Sequence, residues 1–337
     1  MTRILLPEHK ERPLVFYLAM EEYIAGETGI GDAFFMWTVA PTVIFGRNQV
    51  MEAEVNLPWC RKHGVSTYRR KSGGGCVYSD RGNLMISYIT SSGKVRDVFS
   101  EYLGRLADAV SALGVEAEVS GRNDIMIGGK KVSGNAFQML PSRSIVHGTL
   151  LFDTDFDALE AAITPSEDKI AGKGVKSVRQ HVVNLKSCLG DRASAAGVTD
   201  MDSLQSYLYG WFCDSSYMLD GDDVRRIEEI QNEYLDPDFI AGKSRNGTYI
   251  RKSKIDRVGE IAFRISLDGG LIDDVSVSGD YFSLKEPAEV DALFRSALAM
   301  VPMERKAVSE ALGKLPVGEY ILNLNVSCIS SVFFDND

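Results

Sequence analysis

Apolar residues over 14–25 recur at helical spacing and predict a helix. Apolar runs over 33–39 and 42–45 predict two strands divided near Pro41, with Gly46 marking the turn that follows. A short strand over 66–70 leads into Ser72-Gly73-Gly74-Gly75, the stretch 76–78 leads out, and 84–89 is the next strand. The clearest helix covers 98–113: Val98, Leu103, Leu106, Val110 and Leu113 share one face, and Gly114 is a C-terminal stop. Segments 124–127 and 131–138 flank Gly128-Gly129, a two-glycine hairpin signal, and 148–152 is another strand. Helices follow over 155–163, 203–213 and 222–234. The polar, glycine-rich stretch 241–247 reads as a linker. Beyond it a hairpin pattern runs over 260–267 and 271–278, around Asp268-Gly269-Gly270. Helices over 287–298 and 304–312 and a return strand over 322–326 complete the chain. A domain boundary is expected near 246, dividing the chain into 1–246 and 247–337.

Three stretches carry candidate chemistry. In Arg69-Arg70-Lys71-Ser72-Gly73-Gly74-Gly75-Cys76-Val77-Tyr78-Ser79-Asp80, three glycines after a strand let the backbone approach a ligand, and their N–H groups can converge on an anion. The three cations are expected at the rim, and Asp80 and Asn83 favour ligand binding over a plain flexible turn. Next come Gly121-Arg122-Asn123-Asp124 and Gly129-Lys130-Lys131-Val132-Ser133-Gly134-Asn135-Ala136. Asp124 suits Mg²⁺. Strand alternation puts Lys131, Ser133 and Asn135 on one face, and Val132, Gly134 and Ala136 on the other. A lysine among small residues suits a phosphate; the bland alternative is a surface hairpin with a solvated lysine. The third stretch is His147-Gly148-Thr149-Leu150-Leu151, where a structural histidine competes with a functional one.

Composition narrows the class. Hydrophobic residues make up 45% and charged residues 25%, as in an ordinary globular protein. The 37 Lys plus Arg against 47 Asp plus Glu give a net charge of −10, the wrong balance for a general nucleic-acid binder. No apolar run is long enough to span a membrane, and Glu8, Lys10, Glu11 and Arg12 stand where a signal peptide needs its apolar core. The five cysteines are scattered without a CxxC pair, and the four histidines are scattered too. Reduced thiols, a cytoplasmic location and no zinc site are expected. Gly242-Lys243-Ser244 resembles the end of a phosphate-binding Walker loop, but Pro237 stands where its first glycine belongs. No GxGxxG follows a strand.

Together the glycine loop, the Gly-Arg-Asn-Asp element, Lys131-Val132-Ser133-Gly134-Asn135-Ala136 and His147-Gly148-Thr149-Leu150-Leu151 resemble the lipoate-protein ligase A family of the biotin/lipoate ligase superfamily. The family's order and spacing continue in Lys173-Gly174-Val175-Lys176-Ser177-Val178-Arg179 and Val183-Asn184-Leu185. The resemblance runs from about Leu14 to the C-terminus, weakening after 240. It implies an α+β fold: a large mixed-sheet catalytic domain and a small α+β C-terminal accessory domain. It implies a two-step reaction in which lipoate and Mg-ATP form lipoyl-AMP, and a lysine of an acceptor then takes the lipoyl group. The implied acceptors are lipoyl domains of 2-oxoacid dehydrogenase acyltransferase subunits or the glycine-cleavage H protein, and the implied enzyme is a monomer with no tightly bound metal.

By motif position Lys131 is the catalytic lysine. Arg70, Ser72, Gly73, Gly74, Gly75, Cys76, Val77, Tyr78, Asn83, Asn123, Asp124, Ser133, Gly134 and Ala136 are implied nucleotide or lipoyl-AMP contacts, with Asp124 on the Mg²⁺ side. His147 and Gly148 are implied lipoate-pocket residues. Two positions depart from the family pattern: Cys76 replaces a small residue and Ser79 a histidine. Cys76 keeps open an octanoyl or lipoyl transferase that uses a cysteine without ATP, beside its reading as a small buried residue. A lipoyl-binding protein without turnover is the remaining alternative, and the presence of Lys131 and Asp124 weighs against it.

Overall fold

The computed structural model describes residues 1–27, 29–91, 95–121, 123–163, 181–242 and 249–334. The chain falls into two compact units. The first comprises Met1–Ile44, Glu52–Arg70 and Val77–Ile240; the second comprises Phe45–Met51, Lys71–Cys76 and Ala241–Asp337.

The first unit holds strands β1 (Thr2–Leu5), β2 (Ala33–Trp37), β3 (Thr42–Phe45), β4 (Ser66–Arg69), β5 (Val77–Ser79), β6 (Asn83–Ser91), β7 (Ala117–Ser120), β8 (Asp124–Ile127), β9 (Lys130–Met139), β10 (Arg143–Leu151) and β11 (Ser215–Met218). Eight form one sheet in the order β11-β1-β2-β6-β10-β9-β8-β7, and β4-β3-β5 form a second. The large sheet is mixed: β1 runs parallel to β2 and β11, and the β2-to-β7 ladder is antiparallel.

β2 reads Ala-Phe-Phe-Met-Trp without alternation because both of its faces are covered. On one face the helix Leu14–Gly26 packs over Phe35, Trp37, Met85, Ile89 and Ile145. On the other, the helix Val95–Ser111 sets Tyr102 against Tyr88 (centroids 5.2 Å) and Phe99 edge-on to Phe137 (5.4 Å). Arg143 donates to the carbonyls of Ile24, Ile30 and Gly31, closing the C-terminal end of the first helix where carbonyls lack intrahelical partners.

The second unit contains an antiparallel sheet, β12 (Tyr249–Ile255), β13 (Gly259–Asp268) and β14 (Leu271–Gly279), in that order. Buried and half-buried residues alternate along β13, so Ile261, Phe263 and Ile265 face a core shared with Phe294 and Phe333. The helices Pro287–Leu298, Arg305–Leu312 and Val326–Phe334 supply the rest of that core. The hairpin turns at Gly269 and Gly270, with φ of 57° and 87°.

One expected element differs. The stretch 322–326 is a turn entering the helix Val326–Phe334, because Asn323 sits at φ 63° and breaks an extended run. Most of the expected linker, 243–247, lies outside the described residues. Among the described residues no helix is long and apolar enough to cross a membrane.

Tyr102 is fully buried, its hydroxyl has no hydrogen-bond partner among the described residues, and burial raises its pKa. An unpaired buried hydroxyl costs about 1–3 kcal/mol. Tyr102→Phe is therefore expected to leave thermal stability unchanged or raise it. A drop in melting temperature in calorimetry would show that the hydroxyl has a bonding role.

Candidate active site

The β8–β9 hairpin turns through Gly128 and Gly129, at φ 57° and 73°, where a side chain would be strained. Along the ladder Ile125 pairs with Ser133 but Met126 pairs with Lys131, so Val132 is an extra, bulged residue. The bulge corrects the expected face assignment. Lys131 shares its face with Gly134 and Asp124, not with Ser133 and Asn135. Its Nζ lies 2.8 Å from Asp124 Oδ1, and both side chains keep about a third of their exposure (37% and 33%).

A methyl on residue 134 would meet Lys131 Cε and Nζ at 2.5 Å, so glycine leaves the space the lysine occupies. The backbone of Lys131 is pinned from outside the hairpin: its N–H donates to His181 O (2.8 Å) and its carbonyl accepts from Val183 N–H (2.9 Å). Asn123 and Asn135 lock the hairpin by exchanging side-chain to backbone bonds, with Asn135 Nδ2 also reaching Ser133 Oγ (3.1 Å). Ser133 is fully buried by that arrangement. Arg122 and the stretch 173–179 lie outside the described residues.

His147 pairs with Ala136 on β9 and Ser87 on β6, so it projects on the same sheet face as Gly134, Lys131 and Asp124. Its Nδ1 is 2.7 Å from Glu21 Oε2, on the covering helix. Ser87 Oγ donates to Glu21 Oε1 (2.5 Å), and Trp37 Nε1 donates to Ser87 Oγ (3.0 Å). Both oxygens of a buried carboxylate are thereby satisfied, one by Ser87 and the other by the His147 ring. Sequence reasoning missed Glu21. The signal was present: Leu14, Leu18, Glu21 and Ala25 fall on one helical face, and a carboxylate there is out of place.

Residual exposure differs between positions on the two faces of these strands. Met85, Ala136, His147 and Thr149 keep 6–7%, whereas Ile86, Val146 and Leu150, on the opposite face of the same strands, keep none. Gly148 belongs to that opposite face and acts by packing: a methyl there would lie 1.8 Å from Asn135 Oδ1. Thr149 Oγ1 accepts from Gly134 N–H (3.2 Å), tying β10 to the strand that carries Lys131.

The arginines of the glycine loop are not at a rim. Arg69 and Arg70 are buried, donating to Ile240 O (3.0 Å) and Ile44 O (3.3 Å); of the three cations only Lys71 is half-exposed. Asp80 and Asn83 also have framework roles. Asp80 accepts from the N–H groups of Gly82 (2.9 Å) and Asp155 (3.0 Å); burial raises its pKa despite those bonds. Asn83 is fully buried and donates to Tyr78 O (3.1 Å), and Tyr78 is buried beside it in β5.

The loop Lys71–Cys76 belongs to the second unit. Gly74 has φ 89°, the one loop position where left-handed backbone requires glycine. Gly73 is small for a different reason: a methyl there would lie 2.5 Å from Tyr281 O. The oxygen Asp280 Oδ2 lies 4.0 Å from the corresponding point on Gly75. The neighbouring stretch Phe45–Met51 braces the loop, with Arg47 N–H donating to Ser72 O (2.9 Å). Asn48 in turn donates to Ser283 Oγ (2.6 Å) and accepts from Gly279 N–H (3.0 Å), and Arg47 pairs with Glu286. These supports were not anticipated; in the sequence Gly46-Arg47-Asn48-Gln49 reads only as a turn. Cys76 is half-buried, and Val77 opens β5.

Among the described residues no three His, Cys, Asp or Glu side chains are placed to hold a metal. A separate cavity of about 450 Å³, lined by Arg12, Phe16 and Glu228 among others, includes none of Glu21, Asp124, Lys131, His147 or the glycine loop.

Residues 13–203 match the profile of the lipoyl protein ligase A/B catalytic domain, and 245–333 that of the bacterial lipoate protein ligase C-terminus. A lipoate-protein ligase of Bacillus subtilis is 32% identical over 317 residues, covering 91% of this chain and 92% of that protein. Lipoate-protein ligase 1 of Staphylococcus aureus is 30% identical, covering 90% and 91%. The lipoate complex of Plasmodium falciparum LipL1 has a TM-score of 0.70 over 98% of both chains, at 19% identity, a likeness of fold. The bipartite ligase of Thermoplasma acidophilum, solved in a study that includes its E2 lipoyl domain, has a TM-score of 0.59 at 25% identity, covering 74% of this chain and 98% of that one. With the catalytic profile matching more than half of its length, and the hairpin lysine, glycine loop and buried histidine in the places described, the chain belongs to the lipoyl protein ligase A/B family.

Proposed function

We propose that the enzyme is an ATP-dependent lipoate-protein ligase that joins lipoate to a lysine of an acceptor protein. The observation that carries this reading is Lys131, a half-exposed cation beside Asp124, on the same sheet face as Ala136, His147 and Thr149. An extended acyl chain seated along that face would bring its carboxylate to the lysine. In the first step a carboxylate oxygen of lipoate attacks the α-phosphorus of Mg-ATP, the bond to the bridging oxygen breaks, and pyrophosphate leaves. In the second, the acceptor amine attacks the acyl carbon, AMP leaves as the phosphate, and the amine loses a proton. Both steps build or release charge on phosphate oxygens, which a fixed cation stabilises without reorganisation.

Mg²⁺ arrives with the nucleotide as part of the substrate. The loop 71–76 and Arg70 take the nucleotide side in this reading, and Glu21 with His147 shapes the acyl face. A lipoate-protein ligase A solved with ATP, a fold neighbour with a TM-score of 0.56, and the lipoyl domain studied with the archaeal ligase fit these substrate classes. Lipoyl domains or the glycine-cleavage H protein are the proposed acceptors. Five free cysteines suit a reducing cytoplasm.

The test is pyrophosphate release with lipoate and Mg-ATP, followed by intact mass of a lipoyl-domain acceptor. Lys131→Ala is expected to slow both on the order of 10²–10³-fold, equivalent to about 2.7–4 kcal/mol, with the fold retained. Near-normal lipoylation by that variant would remove Lys131 from the mechanism. Cys76→Ala is expected to keep most activity; loss of activity together with a trapped acyl adduct on Cys76 would establish the cysteine route instead.

We also propose 1–246 as catalytic and 247–337 as accessory domain. Removing 247–337 takes away Tyr281, Ser283 and Glu286, which brace the loop and Phe45–Met51. A chain ending near Asn246 is expected to release pyrophosphate much more slowly than the full protein while still using supplied lipoyl-AMP. Equal pyrophosphate rates would show that the C-terminal segment does not support adenylation.

A further inference from the structure

We infer that Asp124 is a positioning residue for Lys131, acting through the lysine in both chemical steps rather than chiefly as a ligand of the nucleotide's Mg²⁺. This inference rests on the ligase reading above. Three features converge on the lysine. The bulge at Val132 brings residue 131 to the face of Asp124, Gly134 leaves a gap that the lysine's Cε and Nζ occupy, and Asp124 Oδ1 receives the ammonium at 2.8 Å.

Lysine is a point charge on a flexible four-carbon stem, so its catalytic worth depends on what holds its head. Here the backbone is pinned by His181 and Val183, and the head is held by Asp124. The stem between them has the trough over Gly134. A ligand of Mg²⁺ would need its oxygen directed at the cation, whereas Oδ1 lies 2.8 Å from the Lys131 ammonium.

The two roles separate in the metal-free half-reaction. Transfer from lipoyl-AMP consumes no ATP and leaves AMP, so it can be run with EDTA. Asp124→Asn and Asp124→Ala are expected to slow this transfer on the order of 10²-fold in kcat, as expected for a misplaced catalytic group, with little change in KM for lipoyl-AMP. The Mg²⁺ concentration that half-saturates pyrophosphate release should stay as in wild type. Asp124→Glu should recover part of the lost rate.

Gly134→Ala is the second variant. It keeps both charges and fills the trough, displacing the flexible end of the lysine, and should reproduce the kcat defect. Folding of each variant is checked by circular dichroism and thermal melting. Wild-type transfer rates in EDTA for Asp124→Asn, or recovery of its pyrophosphate release by excess Mg²⁺, would overturn the inference and make Asp124 a ligand of the substrate's metal. A normal Gly134→Ala enzyme would also overturn it. Failure of wild type itself to release pyrophosphate and to lipoylate would instead sink the ligase reading, and is distinguished by occurring without any substitution.

Discussion

The extra residue in β9 decides which side of the sheet Lys131 serves. In a regular strand it would project with Ser133 and Asn135, on the face away from His147 and Asp124. Inserting Val132 turns it over. A bulge disrupts a ladder, and here the backbone groups of Lys131 are taken up by His181 and Val183. The same two bonds hold the lysine against the next segment of chain. The position of Lys131 is thus set by backbone pairing on two sides before any side-chain contact is made.

Much of the fold was readable because its elements obey local rules. The Gly128-Gly129 and Gly269-Gly270 turns need left-handed backbone, and both occur where two glycines divide apolar runs. The helix Val95–Ser111 shows a single apolar stripe. What escaped was non-local. β1 and β11 are four-residue strands, 210 positions apart, paired in parallel, and neither carries a distinctive pattern. The bulge escaped because alternation assumes an unbroken period of two. Arg69 and Arg70 were expected at a rim because charge is usually solvated, yet here guanidinium N–H groups find main-chain carbonyls inside. The site's motifs were legible as a family resemblance, but which motif residue touches which was not.

Glycine illustrates why. Four glycines of these motifs answer different demands. Gly74 is required by its φ. Gly73 is required by the carbonyl of Tyr281, more than 200 residues away, and Gly148 by the amide of Asn135. Gly134 makes room for the Lys131 side chain. A sequence rule that assigns loop glycines to ligand approach covers none of the last three. Substitution at each should therefore fail in its own way: backbone strain at 74, lost seating at 73, a split sheet contact at 148, and a displaced lysine at 134.

The Glu21–His147 pair makes a related point through magnitude. Deleting one partner of a buried hydrogen bond leaves the other unsatisfied at a cost of about 1–3 kcal/mol, whereas replacing both with apolar groups of the same shape can be nearly neutral or stabilising. Folding alone therefore gives no reason to place a carboxylate on the apolar face of the first helix. The surrounding bonds show the effort spent in keeping it there: Ser87 and Trp37 extend the network to four buried side chains from four elements. Such a network fixes ring orientation more tightly than apolar packing, because each bond has both a length and a direction. Its position, on the face of the sheet that carries Lys131, makes fixed orientation of the His147 ring the use that accounts for its cost.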